Sequence, residues 1–223
     1  MWTLYVMEIS AFSEQEAYEK AFGYVDKART VRLANMRQEH QRVQSLAAGL
    51  LLSFVLEKYI SGETMEGIIK PDGKQVLAAL SSKRRLHIHS CSIEKGMHGK
   101  PYIAELPDFH FNLSHSGNYV VCGVSDTEIG VDIQRVREPV KETLTRRVRQ
   151  DKEQGDFFDI WAAKEAYCKC TGEGLLKDFR SLRCNFEDMQ VEDTESGKKR
   201  QLYLWKGLAG YSAAVCLDDN GHS

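Results

Sequence analysis

From Phe109 to Gln134 the chain reads as consecutive extended segments, broken at Ser116-Gly-Asn118 and again at Ser125-Asp-Thr127. Gly, Asn, Asp and Ser at such breaks supply the backbone freedom and local hydrogen bonds of turns, so this run commits the chain to a sheet. Its last segment, Ile129-Gly-Val-Asp-Ile-Gln134, has two unlike faces. Alternate side chains of a strand share a face, so Ile129, Val131 and Ile133 point one way and Gly130, Asp132 and Gln134 the other. The second face is either a solvated strand end or a pair of hard oxygen donors, Asp132 and Gln134, about 7 Å apart along the strand, of the kind a Mg²⁺-like cation takes.

A second segment has helical period. In Phe157-Phe-Asp-Ile-Trp-Ala-Ala-Lys-Glu-Ala-Tyr-Cys-Lys169 the residues Trp161, Glu165 and Lys169 fall at i, i+4 and i+8 on one face. Lys164 lies about 100° round the helix from Glu165. A carboxylate bracketed by two lysines suits a place where metal and phosphate meet; the plainer alternative is a surface Glu165–Lys169 pair worth ~0.3–0.5 kcal/mol.

The rest of the chain is read more coarsely. Trp2–Ile9 alternates as a strand, Ser13 opens a helical stretch towards Asn35, and Leu46, Leu50, Phe54 and Ile60 make an apolar helical stripe ended by Ser61-Gly62. Lys70-Pro-Asp-Gly73 is a turn, and Leu86 to Cys91 alternates as a strand. Leu144 and Val148 suggest a helix after Pro139, with tail strands near 181–186, 200–205 and 211–216. The fold class is therefore α+β, as two similar halves meeting near residue 105.

Composition bounds the function. The 223 residues carry 30 Lys+Arg and 32 Asp+Glu, a formal charge of −2, with 42% hydrophobic and 28% charged residues. That is globular composition, with a core for one large or two small domains and no basic excess calling for nucleic acid or a membrane surface. No apolar run approaches the ~20 residues that span a bilayer. Met1–Glu8 lacks a basic n-region, so no signal peptide is expected. Six cysteines without a CxxC pair, most in apolar stretches, read as buried reduced thiols of a cytoplasmic protein.

Three smaller features carry chemistry of their own. Ser114, His115 and Ser116, in Phe111-Asn-Leu-Ser-His-Ser-Gly117, sit where a strand enters a turn, as phosphate contacts or as turn caps. No GxSxG elbow supports a hydrolase. His87-x-His89-x-Cys91 offers three zinc ligands on one strand face without a fourth. The clusters Lys83-Arg-Arg85 and Arg146-Arg147-x-Arg149 are solvated faces, or, for the second, a docking edge for an acidic partner anchored beside Val140, Leu144 and Val148.

Taken together the segments resemble the 4'-phosphopantetheinyl transferases of the larger, surfactin-type class. The resemblance is carried by Ser45-Leu-Ala-Ala-Gly49, Gly99-Lys-Pro-Tyr102, Asn112-Leu-Ser-His-Ser116, Gly130-Val-Asp132 and Trp161-Ala-Ala-Lys-Glu-Ala-Tyr-Cys-Lys169, in that order, within residues 27–176. It implies a pseudo-twofold fold with coenzyme A between an N-terminal half, 1–104, that contacts the coenzyme and a C-terminal half, 105–223, that holds the metal site and catalytic helix. It implies transfer of phosphopantetheine from coenzyme A, the co-substrate, to a serine of an apo acyl or peptidyl carrier protein, releasing 3',5'-ADP. Asp132, Gln134 and Glu165 would hold Mg²⁺, with Mn²⁺ as a substitute. Glu165 and Lys169 would be catalytic, Lys169 assisting the leaving group, and Glu153 would be the general base. Lys164 and Lys169 would meet the phosphates, Ser114 and His115 the nucleotide and its 3'-phosphate, and Lys100 the adenine. Lys27, Arg29 and Arg42 would also meet the 3'-phosphate, although Gln44 stands where relatives carry arginine. The implied enzyme is a monomer that binds neither nucleic acid nor membrane. The same carboxylates would also fit a metal-dependent phosphodiesterase, and the pocket alone a non-catalytic coenzyme A-binding module.

Overall fold

The computed structural model describes residues 1–63, 66–96, 98–150, 153–174 and 177–218. Strand β1 (Trp2–Glu8) leads to helices α1 (Gln15–Ala21), α2 (Lys27–Ala34) and α3 (Glu39–Ile60), then to β2 (Gly67–Ile69) and α4 (Gly73–Ser81). Strands β3 (Ile93–Lys95) and β4 (Pro101–Ile103) form a hairpin, and β5 (His110–Ser116), β6 (Tyr119–Ser125) and β7 (Ile129–Arg135) follow in succession. The chain continues through α5 (Glu142–Val148) and α6 (Phe157–Thr171) to β8 (Leu182–Asn185), β9 (Gln190–Asp193), β10 (Lys199–Trp205) and β11 (Tyr211–Leu217).

Besides the β3–β4 hairpin, the other nine of these strands make two sheets, ordered β2-β1-β6-β5 and β7-β11-β10-β9-β8. The fold is α+β with two sheet-bearing halves. The first sheet runs past the 104/105 boundary expected from the sequence: β6 pairs with β1, with Tyr5 opposite Cys122, and β5 pairs with β6, with Leu113 opposite Cys122.

Both faces of β1 are apolar, and that joins the halves. Tyr5 and Met7 pack into a cluster with α3 residues such as Leu46, Leu50 and Val55. Leu4 and Val6 pack the other way, against Val121, Val131, Ile133 and Val215. Each fully buried aliphatic side chain is worth about 1.5–3 kcal/mol, so the second cluster fixes one half on the other. A third cluster buries Ala162, Ala163, Ala166 and Tyr167 of α6 against Leu182, Val191 and Cys216 of the second sheet.

The apolar stripe expected on α3 is wider than a stripe, since the helix is buried on nearly all sides from Val43 to Glu57. By length and composition alone this helix could cross a membrane, contrary to the reading of the sequence, but 78% of its apolar window is buried inside the protein. The helical stretch expected from Ser13 to Asn35 is broken, because Asp26 caps a new helix by accepting from Arg29 N at 2.7 Å. Leu86–Cys91 is not a strand: His87–His89 forms a single 3₁₀ turn, held where buried Glu57 accepts from His87 N at 2.7 Å. Helix α4, capped by Asp72 and burying Val76 and Leu80 at i and i+4, and the four-residue strand β9 lie outside the elements expected from the sequence. All six cysteines are free, and all but Cys91 are buried. Burial pushes the thiols up, Cys170 to about 11 and Cys168 to about 12, as expected for reduced, unreactive sulfurs.

Candidate active site

The site forms where α6 crosses β7. Gly130 makes the crossing possible, since a Cβ there would lie 2.0 Å from Ala166 O and 2.3 Å from Cys170 N. Asp156 caps the start of α6 by accepting from Phe158 N, and Gly172, at φ 75°, ends it in the left-handed conformation. With the helix so placed, its Trp161–Glu165–Lys169 face meets the polar face of β7. Asp132 is buried and receives Lys169 Nζ at 2.5 Å and Ser114 Oγ at 2.7 Å on Oδ1, and Gln134 Nε2 at 2.7 Å on Oδ2. Glu165 is half-buried, with Trp161 Nε1 3.5 Å from its Oε1. Burial, and next the charge of Asp132, push the Glu165 carboxyl up, and Lys169 opposes them. The neighbouring carboxylates thus repel across a space that a cation would relieve.

The first half brings positive charge to the same place. Arg29 Nη1 donates to Ser45 O at 2.8 Å, and Arg32 Nη2 to Ser45 Oγ at 3.1 Å. Gly49 leaves room for the Arg29 side chain, whose Cδ would lie 2.3 Å from a Cβ. That accounts physically for Ser45-Leu-Ala-Ala-Gly49. His115 is exposed on β5, and partial desolvation, then Lys169, lower its imidazole, with Arg29 and Arg32 adding to the effect and Asp132 opposing it. Arg42 carries a buried Nε without a hydrogen-bond partner among the described residues, as does Arg200. Lys27 is exposed at the first turn of α2. Gln44 instead closes the fold, donating from Nε2 to Gly117 O at 2.8 Å. Arg32 is the residue sequence reasoning missed; its place one helical turn from Arg29 was the signal available.

Four expected residues are engaged within the protein, three of them away from Asp132. Lys164, expected at the phosphates, is fully buried and donates to Val148 O at 2.8 Å and Glu153 Oε2 at 2.7 Å. The 100° that separates it from Glu165 carries it into the α5–α6 interior. Glu153, expected as a base, has both oxygens occupied: Oε2 by Lys164 and by Gln150 N at 3.0 Å, Oε1 by Cys184 N at 3.0 Å. The amine of Lys100, expected at adenine, is spent on Glu128, on Ile129 O at 2.9 Å and on Cys170 O at 3.0 Å. Ser114, expected at the nucleotide, is buried between Asp132 and Lys169 Nζ, at 3.0 Å from the latter.

A groove of about 730 Å³ leads away from Glu165 and Trp161, lined by Arg146, Arg147, Lys177 and Arg180 beside apolar Leu144 and Phe179. Among the described residues no group of three or more His, Cys, Asp and Glu gathers as a metal site, and His87-x-His89-x-Cys91 lies on and after a 3₁₀ turn instead of along one strand face. The pair Asp132 and Glu165, with the Gln134 amide beside Asp132, fits Mg²⁺ by donor chemistry, as hard oxygen ligands few enough for water and substrate oxygens to complete the shell.

The profile of the 4'-phosphopantetheinyl transferase superfamily matches residues 128–216, which contain β7, α6 and the second sheet. A 4'-phosphopantetheinyl transferase of Bacillus subtilis is 33% identical over 133 residues, covering 53% of this chain and 59% of that protein. The transferase psf-1 of Bacillus pumilus is 32% identical over 135 residues, 53% of this chain and 57% of its own. The human L-aminoadipate-semialdehyde dehydrogenase-phosphopantetheinyl transferase is 25% identical over 137 residues, 50% of this chain and 44% of its own. The match thus spans little more than half the length of the bacterial relatives. Crossing of a Gly-x-Asp strand by a Lys-Glu-x-x-x-Lys helix, the superfamily profile over that very segment and these relatives agree: the chain resembles the surfactin-type 4'-phosphopantetheinyl transferases.

Proposed function

We propose that this protein moves 4'-phosphopantetheine from coenzyme A to a serine of an apo acyl or peptidyl carrier protein, releasing 3',5'-ADP. The observation that carries the reading is the meeting of Asp132, Glu165 and Lys169 beside the basic cluster of the first half, in a segment that matches the superfamily. In the transfer the serine Oγ bonds to the phosphorus that bears pantetheine. The bond from that phosphorus to the bridging oxygen breaks, and 3',5'-ADP leaves with the electron pair.

Such a reaction needs positioning and charge neutralisation more than covalent help. Asp132 and Glu165 would hold Mg²⁺ or Mn²⁺, with Gln134 contributing its amide oxygen after a half-turn of the side chain. When bound, the ion offsets negative charge on the pyrophosphate. Lys169, already 2.5 Å from Asp132, would swing its ammonium to the leaving phosphate. Arg29, Arg32, Arg42, Lys27 and His115 would meet the nucleotide's phosphates, to which guanidinium forks are suited. Glu153 would take the serine proton only once its buried pair with Lys164 rearranges, since Lys164 Nζ and Gln150 N hold Oε2 and Cys184 N holds Oε1.

The basic groove gives the acceptor its approach. Arg146 and Arg147 are exposed on α5, beside Leu144, and suit an acidic, amphipathic carrier surface. The free buried thiols support a reducing, cytoplasmic setting. The two-halved chain supports action as a monomer on this carrier, with neither nucleic acid nor membrane as a partner.

Incubation with Mg²⁺, coenzyme A and an apo carrier protein, followed by intact-mass measurement of the carrier, tests the proposal. A carrier heavier by one phosphopantetheine is expected. Coenzyme A cleaved without any change in the carrier would make the protein a phosphodiesterase; coenzyme A bound and left intact would make it a binding module.

A further inference from the structure

Strand β7 is an edge strand of the five-stranded sheet, and β5 is an edge strand of the other. An edge leaves backbone N–H and C=O groups without a ladder, and buried ones must find other partners. On β7 side chains supply them. Ile129 O accepts from Lys100 Nζ at 2.9 Å, Val131 N donates to Asn112 Oδ1 at 3.0 Å, Val131 O accepts from Lys169 Nζ at 3.2 Å, and Arg135 N donates to Ser116 Oγ at 3.0 Å. Asn112, Ser114 and Ser116 alternate along β5, so one face of that strand replaces a neighbouring ladder. Among these contacts the Asn112–Val131 bond is buried and immediately precedes Asp132.

We propose that Asn112 is a positioning residue for the Asp132 carboxylate, acting through the Val131 N–H across the seam between the halves. Ser114 and Lys169 hold the carboxylate itself, and Ser114, on β5, can do so only if β7 stands at a fixed distance from that strand. Asn112 sets that distance with a short, stiff side chain whose oxygen takes one buried donor. Groups that orient a metal ligand from behind typically change metal affinity or activity by about 10–100-fold when removed.

The inference rests on the metal-site reading of Asp132, and its test separates the two. Asn112→Leu removes the acceptor at similar size; Asn112→Asp keeps an oxygen of the same reach. In the full-length protein without coenzyme A, amide hydrogen exchange of the 129–135 segment and Mn²⁺ affinity by electron paramagnetic resonance are measured for both and for wild type. Asn112→Leu is expected to speed exchange at Val131 and weaken Mn²⁺ at least about tenfold, with the Michaelis constant for coenzyme A within about twofold and the loss in kcat. Asn112→Asp should stay within about threefold of wild type on each measure. If Asn112→Leu is recovered unfolded, Asn112→Ser, which draws the oxygen back by one bond, is read in its place with the same expectation. Unchanged Mn²⁺ affinity in the acceptor-less variant, or equal loss in Asn112→Asp, overturns the proposal. Wild type that binds no Mn²⁺ overturns the metal reading, and this proposal with it.

Discussion

Substituting Gly130 by alanine tests whether the α6–β7 crossing builds the site. The new Cβ would meet backbone on three sides: Ala166 O at 2.0 Å, Cys170 N at 2.3 Å and Cys170 Cα at 2.9 Å. No rotamer change relieves a contact with backbone. To bring the first of these to the 3.4 Å of ordinary van der Waals contact, α6 must retreat by about 1.4 Å. Overpacking costs about 1–3 kcal/mol, and a rigid obstacle puts this case near the top. For a chain of this length that lowers Tm by roughly 5–10 °C. The same retreat carries Glu165 and Lys169 away from Asp132, and a misplacement of about 1 Å can cost about 10²-fold in rate. Thermal unfolding and carrier modification at saturating coenzyme A measure the two effects. A folded Gly130→Ala protein with wild-type Tm and wild-type transfer would refute the argument that close approach at Gly130 assembles the site.

Glu153→Gln and Lys164→Met should each destabilise by about 3–5 kcal/mol, since either leaves an uncompensated buried partner; Glu153→Leu/Lys164→Met together should recover much of it, as denaturant titration of the cycle would report. Gln134→Glu is expected to lower the Mg²⁺ concentration for half-maximal transfer, and identical metal titrations of wild type, Gln134→Glu and Gln134→Ala would put that side chain outside the coordination shell. Asp193 is held down to about 2, since its bonds to Lys177, Ser196 and Glu195 N outweigh the opposing burial. A lowered folded pKa gives stability present above the ordinary aspartate value and lost as pH falls towards 2, so Asp193→Asn should cost at most about 2 kcal/mol at neutral pH and flatten the stability profile between pH 4 and 2. Charge reversal at Arg146 and Arg147 should raise the carrier's Michaelis constant, more so at low salt, and leave that of coenzyme A unchanged.

What the sequence determined by itself was whatever depends on local geometry. Period two along Ile129–Gln134 put Asp132 and Gln134 on one face, and the structure has them 2.7 Å apart. Period 3.6 aligned Trp161, Glu165 and Lys169, the face that α6 turns towards Asp132. Strand and helix periods are properties of the backbone, so they are legible wherever a segment alternates clearly; short pieces such as β2, of three residues, and β9, of four, offered too few residues for a period to show. Tertiary structure decided which residues of a motif reach the site. Lys164 and Lys169 look alike in the sequence, yet one neutralises Glu153 in the interior and the other faces Asp132. Lys100 and Asn112 likewise read as ligand contacts or plain strand residues until the edge of β7, distant in the chain, is laid beside them. Burial assigns those roles: a buried charge or backbone group must be satisfied by whatever the fold brings within about 3 Å, and only the packing of the two halves determines what that is.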